Sequence, residues 1–376
     1  MKTIKKSLNE RRHLRKNVAV KKLALSKKTG WEKAAYAEGC RSVGWFWPKS
    51  AEGEPPDDIQ WLRWLNLSWA IWFQKHKFSY VPLLSYPLAC RQFIRGFIQM
   101  SNININSNLL LPTTKKVCCI LTVLNEEATL QSQLNELARL PFEEIIVVVN
   151  GSTDNSYEIA RNHPSRPTIV YFDSALGYDV GRAVGAKLSN SDISLFLDGD
   201  MTISVDLILP FIYEIEKGAD VVLNPISTIL PNLDRRDAVS NIKQFLNHCL
   251  GRKDLNADSL TAVPHALSRR AIERLGAKVL AVPPVAHGRA VRYGLSVVSS
   301  PVAVDVIKAN RLRNHNVGPD NQIEQLIIGD HLEALHELME KEAPRLRFPD
   351  HMRQHHFVEE RNDDGVRNNN PDHPDL

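Results

Sequence analysis

Between residues 117 and 224 the chain alternates short apolar runs with stretches of helical spacing, and this pattern limits the fold more than any other feature. Val117–Leu124 is nearly all apolar, as expected of a strand buried on both faces of a sheet. Leu130, Leu134 and Leu137 then follow at helical spacing within Glu126–Arg139. Further strands are predicted at Glu144–Asn150, Thr168–Phe172, Ile193–Asp198 and Asp220–Asn224. Helices are predicted at Thr153–Asn162, at Asp179–Leu188, and from a Ser204 cap to Gly218. Such alternation implies βαβ units, right-handed crossovers and a Rossmann-like, mostly parallel sheet flanked by helices. Ligands of open α/β sheets bind beyond the carboxyl ends of the strands. Three polar clusters fall there: Asn125-Glu126-Glu127, Asn150-Gly151-Ser152 and Asp198-Gly199-Asp200.

The flanks read differently. Residues 1–33 hold twelve Lys/Arg against Glu10 and Glu32, so this arm carries about +10. The whole chain is +4, which leaves the remainder near −6. A basic arm over 1–30 is expected to be disordered, with peripheral contact to an anionic membrane as its functional alternative. No apolar h-region follows it and no run of about 18 apolar residues exists, so neither a secretory signal nor a membrane span is expected. All seven tryptophans lie between 31 and 112, where Trp61, Trp64, Leu65, Ile71 and Trp72 predict an amphipathic helix over Ile59–Lys75. That zone is read as a helical extension, ending in a polar linker at Asn102–Asn108. After Pro225 the pattern loosens. Helices are expected at Asp234–Leu250, from Ser268 to before Gly276, and at Pro319–Glu342, with a strand-like segment at Ser296–Ile307. The expected divisions are 1–30, 31–112, an α/β domain over 113–313, a helical extension over 314–360 and a disordered tail over 361–376. Five scattered cysteines make no C-x-x-C pair, and adjacent Cys118-Cys119 sit in an apolar run, so a reducing cytoplasm fits better than a disulfide framework.

Asp198-Gly199-Asp200 carries the strongest chemical signal. Carboxylates two residues apart on an extended segment point the same way, and Gly199 is expected to let the backbone turn tightly. Hard oxygen ligands suit Mn²⁺ or Mg²⁺ bridging a diphosphate.

Four segments, in order, resemble a family 2 glycosyltransferase of the GT-A fold from Val117 to about Arg313, roughly half of the chain. They are Leu124-Asn125-Glu126-Glu127, Val149-Asn150-Gly151-Ser152-Thr153-Asp154, Gly177 through Gly181-Arg182 to Gly185, and Asp198-Gly199-Asp200. The resemblance implies that Asn125, Glu126, Gly151 and Asp154 line the donor site. Asn150 stands where the family has an acid that bonds the base; its amide can still read a uracil edge. The resemblance also implies that Arg182 holds phosphate or sugar oxygens, that Asp198 contacts ribose or metal-bound water, and that Asp200 ligates the metal. Asp179 is read as a helix N-cap. No Glu-Asp pair occurs between Pro225 and Arg313, so the base that must take the acceptor proton is sought at Asp258 or His265, with Asp254 and His287 behind them. His265 is also a candidate metal ligand. The expectation is a bacterial-type, cytoplasmic, metal-dependent enzyme moving a sugar from a nucleotide-diphosphate sugar, UDP favoured, to an unknown acceptor, with no nucleic-acid partner. The rival readings are a catalytically degenerate nucleotide-sugar or polyanion-binding module, and a sugar nucleotidyltransferase. The latter needs a glycine-rich loop after the first strand, which Leu124–Glu127 lacks.

Overall fold

Strand β1 (Val117–Val123) shows in miniature how the sequence builds the sheet. Its side chains alternate between two apolar clusters: Val117, Cys119, Leu121 and Val123 join one, and Cys118 and Ile120 join the other. A strand covered on both faces has no polar side, hence the near-continuous run. The structure is a computed structural model that describes residues 30–45, 58–76, 85–103, 105, 109–306 and 321–353. The basic arm, the 361–376 tail and most of the 102–108 linker lie outside these residues.

Among the described residues one sheet has seven strands. These are β1, β2 (Glu144–Asn150), β3 (Thr168–Phe172), β4 (Ile193–Asp198), β5 (Val221–Leu223), β6 (His265–Ser268) and β7 (Val297–Ser299). Their spatial order is β3-β2-β1-β4-β6-β5-β7. Strands β3, β2, β1 and β4 run parallel, β6 is antiparallel to both neighbours, and β5 and β7 are parallel. The order steps away from β1 in both directions, so the β1/β4 boundary is the topological switch point where such sheets bind ligands. Thr122 pairs with Asp198 there.

The tryptophan-rich zone is helical: residues 30–45 (α1), Asp58–Lys75 (α2) and Tyr86–Ser101 (α3). Trp61, Trp69 and Trp72 form core, while Trp45 is exposed. Trp69 is fully buried, its indole N–H donates to Tyr86 Oη at 2.8 Å, and that hydroxyl donates to Leu110 O at 2.6 Å. Trp69, Phe93 and Leu65 share one apolar cluster with Leu121, Val147 and Leu195 of the sheet.

Helices α4 (Leu130–Leu137), α5 (Ser156–Asn162), α6 (Val180–Leu188) and α7 (Val205–Glu216) connect the first five strands. Helix α6 lies so close to β1 that a Cβ on Gly185 would collide with the Ile120 side chain. Beyond β5, α8 (Ala238–Cys249), α9 (Arg269–Leu275), α10 (Pro283–Arg292) and α11 (Gln322–Lys341) complete the described fold. Leu246, Leu250, Val285, Leu335 and Leu338 cluster between α8, α10 and α11. Several expectations change, and α5 and α8 begin at Ser156 and Ala238 instead of Thr153 and Asp234. Helix α4 starts four residues late, because Glu126 O accepts from Thr129 N and Leu130 N in a turn. The strand-like 296–307 stretch shrinks to β7. Helix α10 and strand β6 are additions. No helix among the described residues is long and apolar enough to cross a membrane.

Candidate donor site at the switch point

The loops after β1 and β2 are stitched together. Asn125, at φ 58°, accepts on Oδ1 from Thr153 N at 2.8 Å, while its own N–H donates to Ser152 Oγ at 3.1 Å. Glu126 N donates to Ser156 Oγ at 2.8 Å and Glu127 N to Asp154 Oδ2 at 3.0 Å. Burial would raise the Asp154 pKa, but hydrogen bonds from Ser156 and the Glu127 backbone outweigh it and lower the value. Asn150, at the tip of β2, donates to Gly177 O at 3.1 Å and accepts from Leu176 N at 2.6 Å. It therefore ties the β3–α6 loop to the strand end and keeps one N–H and one lone pair in reserve.

Asp198 closes β4. Its Oδ1 accepts from Thr122 Oγ1 at 2.7 Å, and its carboxylate lies 3.1 Å from Arg182 Nη2. The other terminal nitrogen of Arg182 is 2.8 Å from Asp179 Oδ1. One guanidinium thus clasps two carboxylates, one from the β3–α6 loop and one from β4. Burial opposes the Arg182 charge, but Asp179 and Asp198 overcome it and raise the pKa. Burial raises the Asp179 pKa and Asp198 adds to that, against the pull of Arg182 and Lys243. One expectation is corrected here, that for Asp179. Arg182 is 5% exposed and ion-paired in the clasp, while its Nε and Nη1 make no hydrogen bond among the described residues. Asp179 occupies the N-cap position of α6 but makes no side-chain cap, because its carboxylate faces Arg182.

Gly199 lies in a turn with Asp200, as expected, and its small size has a further use. A Cβ there would stand 3.0 Å from Val123 Cγ2, 3.2 Å from Thr122 O and 3.3 Å from Glu126 Cγ. Its N–H donates to Thr122 O at 2.8 Å, and its carbonyl accepts from Thr129 Oγ1 at 2.5 Å. The glycine lets the D-x-D backbone press against β1 and the buried Glu126.

Neither base candidate is presented as a base. Asp258 is 4% exposed; Oδ1 accepts from Ser227 N at 2.9 Å and Ser227 Oγ at 2.6 Å, and Oδ2 accepts from Ser299 Oγ at 2.6 Å. It braces the turn after β5 against β7. His265 opens β6 beside β4, its ring stacked on Phe196 at 5.0 Å between centroids. Burial, helped by Arg182, lowers its pKa to about 3. Its Nδ1 lies 3.1 Å from Ala262 O, a contact that needs an N–H there and leaves Nε2 as the lone-pair nitrogen. Such a ring is a neutral acceptor or ligand and a poor proton acceptor. Asp254 is exposed and paired with Arg252 at 2.7 Å. His287 is fully buried, with Nε2 2.7 Å from Asn247 Oδ1.

Among the described residues no group of three or more His, Cys, Asp or Glu is placed to hold a metal ion. A Mg²⁺-like cation needs only one or two carboxylates when waters and phosphate oxygens fill its other positions. The donor set fits that mode and no closed protein cage: Asp200 as ligand, with Asp198 held beside it by Thr122 and Arg182.

Sequence reasoning missed Lys243, which Asp237, Arg182, Asp179 and Asp258 reach electrostatically. The signal was available: Lys243 falls on the inward stripe of α8 with Ser240, Leu246 and Asn247.

A mostly parallel sheet with an acidic pair at the switch point and an antiparallel strand beside it is a glycosyltransferase fold of the GT-A kind. The sequence agrees with that fold: the model of glycosyl transferase family 2 matches residues 118–276. The chain is also similar to crystal structures of glucosyl-3-phosphoglycerate synthase from Mycobacterium tuberculosis. The complex with Mn²⁺, UDP and phosphoglyceric acid is 20% identical over 63% of this chain and 80% of that one, with a TM-score of 0.43. The complex with phosphoglyceric acid alone is 19% identical over 63% and 82%, with a TM-score of 0.44. No curated protein matches the chain.

Proposed function

We propose that the chain transfers a sugar from a nucleotide-diphosphate sugar, with UDP as the favoured nucleotide, to an acceptor hydroxyl, with Mn²⁺ or Mg²⁺ as cofactor. The observation that supports this best is the clasp at the switch point. Thr122 and Arg182 hold Asp198 at the end of β4, two residues before Asp200, where an α/β sheet takes its ligand. The stitched Asn125–Glu127 and Ser152–Ser156 loops form a preorganised wall for the nucleoside. The reserve N–H and lone pair of Asn150 match the acceptor and donor on a uracil edge. Asp198 orients ribose or a water, and Asp200 is the metal ligand. A bound Mn²⁺ or Mg²⁺ supplies Lewis-acid compensation for the charge of the departing diphosphate. As the acceptor oxygen bonds to the anomeric carbon, the bond from that carbon to the diphosphate oxygen breaks, and the hydroxyl proton leaves to solvent or to the departing diphosphate.

Thermal unfolding of the full chain across nucleoside diphosphates, with and without Mn²⁺, tests the reading. At a hundredfold excess over Kd a ligand adds about 2.7 kcal/mol of stability. UDP should raise the transition most, and more with metal. Equal responses to all nucleotides, or none, would overturn the donor assignment. The proposal includes a cytoplasmic location with the basic arm touching anionic lipid. Vesicle sedimentation with and without residues 1–30 tests that part, and unchanged binding refutes it.

A further inference from the structure

Helix α8 turns Ser240, Lys243, Leu246 and Asn247 inward. A lysine on such a stripe needs an explanation, because a buried ammonium is costly unless paired. Lys243 is 9% exposed, and it forms no hydrogen bond or ion pair with any described residue. The charged groups that act on it are Asp237 at the start of its own helix, Arg182 and Asp179 of the clasp, Asp258 of the brace, and His331 of α11. Each acid in that set has another partner and none bonds Lys243, although all three favour its charge through space. Asp237 caps α8 by accepting from Ser240 N at 2.6 Å. Asp179 pairs with Arg182, and Asp258 accepts from Ser227 and Ser299. The remaining groups, Arg182 and His331, repel a positive charge or leave it unaided. The helix therefore brings a buried cation with no direct hydrogen bond or ion pair among the described residues beside the clasp that fixes Asp198.

We propose that Lys243 is the cation of a phosphoryl-binding subsite that adjoins the D-x-D site, between α8, the Asp179–Arg182 clasp and the Asp258 brace. The proposal deepens the donor-site reading and rests on it. Lysine suits phosphate as a compact point charge, and it lacks the ion pairs that Arg182 makes to Asp179 and Asp198. The phosphoryl group has two chemical sources, the diphosphate of the donor or a phosphate carried by the acceptor. Burial lowers the Lys243 pKa to about 8, which gives the subsite a titration of its own. Affinity should be full below that value and fall as the ammonium loses its proton, since only the cation attracts the anion.

The test uses the full chain and calorimetry. One arm titrates UDP with Mg²⁺; the other titrates inorganic phosphate into protein already saturated with UDP and Mg²⁺. Lys243→Gln should weaken one of the two at least tenfold, and Lys243→Arg should stay within about threefold of the native chain. Loss in the UDP arm assigns the subsite to the donor; loss only in the phosphate arm assigns it to the acceptor. The native chain supplies a control free of folding artefacts. Its affinity for the same ligand should fall several-fold between pH 7.5 and 9, although inorganic phosphate itself gains negative charge over that range. Native-like binding of both ligands by the glutamine variant, or a flat pH series, overturns the subsite while leaving the donor reading intact. A native chain that ignores UDP sinks the donor reading instead, and the phosphate titration without nucleotide then decides the subsite alone.

Discussion

Replacing Arg182 with methionine removes the clasp and keeps most of the side-chain volume. The Arg182–Asp179 pair is buried, with side-chain exposures of 6% and 9%. Breaking one partner of such a pair typically costs 3–5 kcal/mol, about the price of a stranded charge. Asp179 can evade part of that, because burial already raises its pKa and it can take up a proton. Asp198 is 31% exposed, so its share is at most about 1 kcal/mol. The expected loss at neutral pH is about 3 kcal/mol. The sign with pH follows from linkage. Without Arg182 the folded pKa of Asp179 climbs further above its unfolded value. Stability of the variant is then retained below the unfolded pKa and lost as pH rises through the folded one. The gap between native and variant chains should therefore widen from pH 5 to pH 8 in thermal unfolding. Calorimetry with UDP and Mn²⁺ should show at least tenfold weaker binding, because Asp198 loses a fixed orientation. A gap that is absent, or identical at both pH values, would refute the argument.

Asp200→Ala should abolish metal-dependent turnover of the donor while leaving the unfolding temperature nearly unchanged; retained turnover contradicts the ligand role. Gly199→Ala should cost about 1–3 kcal/mol through overpacking against Val123 and Glu126, read by thermal unfolding, and should weaken UDP binding as well. Asp258→Ala should lower stability by about 3 kcal/mol, since Ser227 and Ser299 lose their acceptor, and the same loss in Asp258→Asn is not expected. In the native chain a thiol reagent should reach Cys40 alone on the assay timescale. Cys90, Cys118, Cys119 and Cys249 are buried; burial raises all four pKa values and holds Cys118 at about 12.

Strands β1, β2 and β4 were legible because two-sided burial leaves an unbroken apolar signature, and edge strand β3 by its β-branched and aromatic residues despite its exposure. Glu144–Asn150, Thr168–Phe172 and Ile193–Asp198 match the structure residue for residue. Polar residues at their ends marked the site for the same reason: the sheet's interior excludes them. Strand β6 was not legible, since its four residues carry no periodicity and follow a stretch with few regular elements. The clasp was hidden for another reason. Asp179 and Arg182 are three residues apart, a spacing that reads equally as a helix start, and only the fold brings Asp198 to the same guanidinium. Candidate bases failed on burial: Asp258 and His265 have suitable chemistry, but folding spends the first on hydroxyls and keeps protons from the second.

The apolar cluster that runs unbroken from Trp69 and Phe93 to Leu121 and Leu195 has a practical corollary for anyone dissecting this chain. Phe73 packs against Tyr213 of α7, Asn66 both donates to Thr113 O and accepts from Leu111 N, and Arg63 reaches Glu143 O. A fragment cut to begin at Thr113 would have a wet, greasy flank where those helices had been. It should clump upon expression, so grafting this catalytic unit onto another scaffold will require carrying the tryptophan-bearing helices along as its lining.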